Sequence, residues 1–285
     1  MINTARSLLQ GWLLRQLDPA RGAWLGEQIG LLETDAAQAS LDIAFGLIPR
    51  RLGSAPLTLG DADSAAANEA IEGWEPQGWS VADAARILLL SGLPQRPILF
   101  AQRFRALCSA ADLTELTALY RGLPLYPDPA ALLDQVGEGL RSNMRGVFDA
   151  IVHHNPFPRI HFDEHRWNHM VLKALFVGSP LAPVQGLDQR ANPELARMLC
   201  DFAHERQAAG RPVPFEIWRC VGPFAQGSMV DDLARAVRSS STAEQRAAAL
   251  ALAASPDARA RKTLADAPTL RDAIARGELS WATLG

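Results

Sequence analysis

Apolar residues recur along this chain at three- and four-residue spacing, and nowhere in strict alternation. Leu8, Leu9, Trp12, Leu13 and Leu17 predict a helix over 4–17, closed by Asp18-Pro19. A second pattern, with Leu25, Ile29, Leu32, Leu41, Phe45 and Ile48 apolar, predicts a helix over 24–52 that Pro49 ends or kinks. Residues 53–78 mix Gly, Pro, Asp and Ala and read as one long loop, with Trp74, Pro76 and Trp79 docking its end. Ser80 caps a helix over 81–90, stopped by Gly92 and Pro94; further helices span 97–108 and 113–121, the latter capped by Asp112. Pro129 opens a long helix reaching His153.

The expectation is an all-α, multi-helical fold of roughly a dozen helices. The tail predicts a helix over 242–254. Two more follow, opened by Pro256 and Pro268 as first helical residues and ended near Gly277. That spacing suits a curled layer of HEAT or armadillo kind, with too short and irregular a repeat for a true solenoid. We read one domain over 1–285, with 78–224 as its core and 240–285 as a helical tail packed on it.

Composition narrows the class. A length of 285 residues, 48% of them hydrophobic, supplies ample core. Net charge is -3 with no long run of one sign, which disfavours nucleic acid. Cys108, Cys200 and Cys220 form no CxxC pair, as in a reducing compartment. No apolar run approaches the roughly 20 residues of a transmembrane helix, so the expected location is the cytoplasm.

Chemistry is concentrated in residues 151–211, which hold all six histidines and Lys173, one of only two lysines. Asn155 and Phe157 precede prolines and should leave the helix in extended conformations, as a packed corner or a site. Asp163 is a plausible cap for a helix over 164–177. Its second half is apolar all round and so should be buried, with Lys173 inside it, meeting an acidic ligand or carboxylate, or snorkelling. His165 and His169 stand four apart, a spacing that suits a metal with His161, Asp163 or Glu164 as a third ligand. Without a full ligand set and without HExxH the expectation is no metal, and no cofactor. Asn192-Pro193 opens the next helix, ended by Gly210. On it Asp201 and Glu205 could reach His204, Lys173 or Arg190, as an acid–base group or a polar clasp between helices. His204 and Glu205 should turn towards the Lys173 helix.

The strings HNPFP, WNxMVLKALF, GLDxRANPELARML and DFAHERxAAGRxVxxExWR, with GWSVADAARILLL upstream, resemble the EboA family. The likeness is dense over 118–224 and thinner over 78–90. Asn155, Pro156, Trp167, Asn168, Lys173, Arg190, Asn192, His204, Glu205, Arg206 and Arg211 match its pattern. His165 and His169 are not part of it, and Gln207 stands where the family has tryptophan. The resemblance implies a bacterial secondary-metabolite cluster, encoded beside a UbiA-like prenyltransferase and TatD-like and dehydroquinate-synthase-like proteins. It transfers no catalytic residue. The candidate ligand-binding or clasp residues are therefore Asn155, Trp167, Asn168, Lys173, Arg190, Asp201, His204, Glu205 and Arg211.

The expected function is a non-catalytic accessory protein. It would bind, hand over or scaffold, with proteins of the same pathway and a hydrophobic or prenylated metabolite as partners. An enzyme using His204 and Glu205 as an acid–base pair is the second hypothesis. A purely structural interaction module is the third. A pocket lined by both apolar and charged groups would set the first two apart from the third.

Overall fold

A computed structural model describes residues 2–32, 37–93 and 97–284. Among them are eighteen α-helices and no strand, so the fold is all-α. The chain divides into two compact units, 1–163 and 164–285.

The first unit holds α1 (Ile2–Gln16), α2 (Pro19–Leu31), α3 (Ala37–Leu52), α4 (Asp61–Ala70), α5 (Val81–Ser91), α6 (Pro97–Ala110), α7 (Leu113–Arg121), α8 (Pro129–Arg141), α9 (Arg145–Val152) and α10 (Phe157–His161). Its centre is α5, packed against α1, α2, α3 and α7, with every residue buried. The reason is local. The Ser80 hydroxyl accepts the Asp83 N–H at 3.0 Å, and Asp83 Oδ2 accepts the Ser80 N–H at 2.9 Å, a reciprocal cap that starts the helix. The run Ile87 to Leu90 then buries four large side chains, each worth about 1.5–3 kcal/mol relative to exposure.

Several sequence expectations are corrected here. The helix predicted over 24–52 is two, α2 and α3; residues 33–36 lie outside the described residues, as does Pro94. Pro49 does not end α3, which continues to Leu52. The long loop contains α4, whose buried side are alanines, Ala67 and Ala70, too small to register as an apolar stripe. Trp74, Pro76 and Trp79 do bury, and Trp74 lies 5.5 Å from Trp12 of α1 between ring centroids. The helix expected from Pro129 to His153 is broken into α8 and α9, because the Ser142 hydroxyl takes the Met144 N–H at 3.0 Å in place of a helical bond. Phe157 is not extended but begins α10, with Pro158 in the first turn.

The second unit holds α11 (Glu164–Val177), α12 (Pro193–Ala208), α13 (Ile217–Val221), α14 (Ser228–Ala236), α15 (Thr242–Ala254), α16 (Ala258–Ala265), α17 (Pro268–Ala275) and α18 (Trp281–Leu284). Its centre is α15, packed against α13, α14, α16, α17 and α18. The buried residues of α15 run Ala247-Ala248-Ala249-Leu250-Ala251-Leu252, so its neighbours approach almost to the backbone. A β-carbon added at Gly222 would stand 2.7 Å from the Ala251 Cα. Asn192 caps α12 as expected, its Oδ1 accepting the Leu195 N–H at 2.8 Å. Pro268 opens α17, but Pro256 opens nothing. α16 starts at Ala258, capped by Asp257, whose Oδ1 accepts the Arg259 N–H at 2.8 Å. The second half of α11 is not buried all round: Phe176 is 79% exposed and Lys173 only half-buried. Periodicity marks faces of a helix without telling which face has a neighbour.

Candidate functional site

Asn155 lies in the first unit, 3% exposed, and its amide is fully employed. Nδ2 donates to the Tyr120 and Ala150 carbonyls, each at 3.1 Å, and Oδ1 accepts the Phe157 N–H at 3.0 Å. It staples the α7 end, the α9 end and the α10 start into a corner. His154 is held there at φ +52°, a left-handed conformation uncommon for a side-chain-bearing residue, with Nδ1 2.6 Å from Glu75 Oε2.

Beside this corner lies a cavity of about 290 Å³, lined among others by Trp79, Asp149 and His153. His153 Nδ1 is 3.9 Å from Asp149 Oδ1. A second cavity of about 690 Å³ runs along α3, α5 and α7. Thr117, Arg121 and Gly146 line both. Its wall carries three arginines: Arg50, exposed on α3; Arg86, 3% exposed on α5; and Arg121 at the α7 end. Burying the Arg86 guanidinium is costly unless it is bonded. It donates to Glu115 Oε1 and to the Phe45 carbonyl, both at 3.3 Å, and lies 5.3 Å from the Phe45 ring centroid. Arg121 Nη1 donates to Asp83 Oδ2 at 2.8 Å. Asp112 caps α7, and the Thr114 hydroxyl, ahead of the Glu115 N–H, holds its carboxyl below the ordinary 3.8.

The other candidates lie in the second unit. Asn168 and Asn192 exchange amide bonds at 3.2 and 2.8 Å, tying α11 to the start of α12. Trp167 is buried with the Arg190 guanidinium 4.7 Å from its ring centroid. Asp201 accepts from Arg197 at 2.7 Å. The His204 partner is Asp232 of α14, with Nε2 2.8 Å from Oδ1, rather than a group on the Lys173 helix. Asp232 is 5% exposed and also bonds Arg235; its Oδ2 is buried without a partner. Glu205 and Arg211 are exposed. The Arg211 N–H closes the end of α12 on the Arg206 carbonyl at 2.8 Å. Asn192 Nδ2 also donates to the Arg190 carbonyl at 3.1 Å, so Trp167–Arg190 and Asn168–Asn192 form one cluster, while His204–Asp232 joins α12 to α14. A cavity in this unit, between Leu187, Glu216, Arg219 and Trp281, has about 20 Å³, room for roughly one water.

The chemistry available is limited. Burial pushes the thiols of Cys108, Cys200 and Cys220 up to about 12, so Cys200, one turn before His204, stays protonated. The His165 and His169 rings stand 4.3 Å apart, but no group of three or more His, Cys, Asp or Glu among the described residues is placed to hold a metal ion. No helix among them is long and apolar enough to cross a membrane. Sequence reasoning missed the cavity arginines and the His153–Asp149 pair. The signal was present in Asp83 and Arg86, two charges inside an otherwise apolar helix.

What these features define is an all-helical protein with a small-molecule-sized cavity in its first unit, lined by both charged and apolar groups. The family model described as Metabolite traffic protein EboA matches residues 5–222, so the chain belongs to the EboA family. No curated protein and no solved structure matches it.

Proposed function

We propose that this chain is a non-catalytic accessory protein that binds a small metabolite in the paired cavities of its first unit and hands it on. The observation that supports this is the pair of adjoining cavities, about 690 and 290 Å³, in the range of roughly 300–1,000 Å³ usual for small-molecule sites. The family description, a metabolite traffic protein, agrees with it. Binding and release need a shaped cavity and no nucleophile, and the buried, protonated thiols offer none. The expected cargo is a largely hydrophobic or prenylated secondary metabolite with a polar head. The expected partners are proteins of the same pathway, a prenyltransferase among them, in a bacterial cytoplasm.

One observation favours an enzyme instead: His153 lines the smaller cavity with Asp149 3.9 Å away, and such a pair can move a proton. Native mass spectrometry of the protein purified from its own cells separates the readings. A bound small molecule that is released unchanged, with no turnover by wild type, supports carriage. Turnover that His153→Gln abolishes in a folded protein makes it an enzyme.

A further inference from the structure

We infer that the larger cavity of the first unit takes the anionic group of its ligand, a carboxylate or phosphate, on Arg50, Arg86 and Arg121. This deepens the binding reading above and rests on it. Three arginines and three acids, Asp83, Asp112 and Glu115, line the cavity, so net charge does not decide the matter. Direction does. Each acid is turned to a helix start. Asp83 Oδ2 accepts the Ser80 N–H and Arg121. Asp112 Oδ1 accepts the Thr114 hydroxyl at 2.7 Å and the Glu115 N–H at 2.8 Å. Glu115 Oε2 accepts the Asp112 N–H at 3.2 Å, and Oε1 accepts from Arg86.

The guanidinium groups are not used up in the same way. Each has five N–H donors in a rigid fork. Arg121 spends one on Asp83, and Arg86 makes two bonds, both long at 3.3 Å. Arg50 has no side-chain partner among the described residues. An entering anion therefore meets spare donors on all three arginines, while Asp83 Oδ2, Asp112 Oδ1 and both Glu115 oxygens are already bonded, in a cavity where Arg86 is already desolvated. Thr117, shared with the smaller cavity, adds a hydroxyl at the junction. In the smaller cavity the acid to reckon with is Asp149, held within reach of His153.

The test is calorimetric titration of the full chain with inorganic phosphate, pyrophosphate and citrate at constant ionic strength. Saturable binding of at least one probe is expected; pyrophosphate against citrate tells a phosphate site from a carboxylate site. Arg50→Gln, which breaks no internal bond, should weaken binding at least about tenfold, as loss of a charge-assisted contact does. Arg121→Lys can keep the Asp83 ion pair while losing the fork, and should weaken it too. Arg271→Gln, on α17 of the other unit, should leave it unchanged. Failure of all three probes to saturate, or equal weakening by Arg271→Gln, overturns the inference. A neutral molecule found by native mass spectrometry would also overturn it while leaving the binding reading intact. Probe binding by a protein that carries no metabolite from its own cells would do the reverse.

Discussion

The two units are built around helices of opposite character. α5 is VADAARILLLS, long side chains with an acid and an arginine among them, while α15 is TAEQRAAALALAA, with alanine on most of its buried positions. Charge inside α5 has to be answered by partners on other helices, and those partners stand around open space. Methyl groups on α15 ask for nothing, and its neighbours close down until Gly222 meets Ala251 backbone. The difference teaches where a ligand can go: the unit with the expensive core has cavities of about 290 and 690 Å³, and the cavity described in the unit with the simple core has about 20 Å³.

The sharpest way to break the contrast is Arg86→Met. It leaves Glu115, 18% exposed, without its cation. A buried pair broken on one side costs roughly 3–5 kcal/mol, and the solvent contact of Glu115 puts the expected loss near the lower end. Urea unfolding, with amide exchange assigning the change to the first unit, measures it. Adding Glu115→Gln should restore most of the loss; if it does not, the charge argument for α5 fails.

Gly222→Ala probes the alanine-centred unit. Overpacking against fixed backbone costs about 1–3 kcal/mol, and no neutralising partner change should rescue it. A neutral outcome would mean the α15 packing is looser than described.

The smallest expected effect is a pH dependence confined to the first unit. Burial lowers the His161 pKa from its ordinary 6.5, so the unfolded chain binds its proton more readily than the folded one. The contribution of His161 is full above 6.5 and lost as pH falls through the folded-state value. Melting temperatures of wild type and His161→Gln should therefore converge as pH drops from 7.5 towards 5. Curves that stay parallel would deny His161 that role.

The helices most legible in sequence were those with strong ends. α11 was expected over 164–177, and α12 was expected from its Asn192-Pro193 start; both stand there. What periodicity cannot carry is the identity of a distant partner. His204 reads equally well against Glu205, Asp201 or the Lys173 helix, and Asp232 is 28 residues away. The same limit hid the cavity. Asp83 and Glu115 look like ordinary capping residues in sequence, and only the fold shows that Arg121 and Arg86 complete them. The histidines and Lys173 drew attention to 151–211, whereas the cavities are built largely from α3, α5 and α7, with the His153–Asn155 corner at their edge.

The alanines of α15 have a further consequence, in entropy rather than in contacts. A buried long side chain gives up as much as about 2 kcal/mol of rotamer freedom on folding, and alanine gives up none. At its buried positions α15 thus freezes only the rotamers of Leu250 and Leu252, and alanine is also the best helix former. α5 must freeze Arg86, three leucines and an isoleucine before its partners reward it. Ordering the centre of the second unit therefore costs less side-chain entropy than ordering the centre of the first, a difference that no count of buried contacts would reveal.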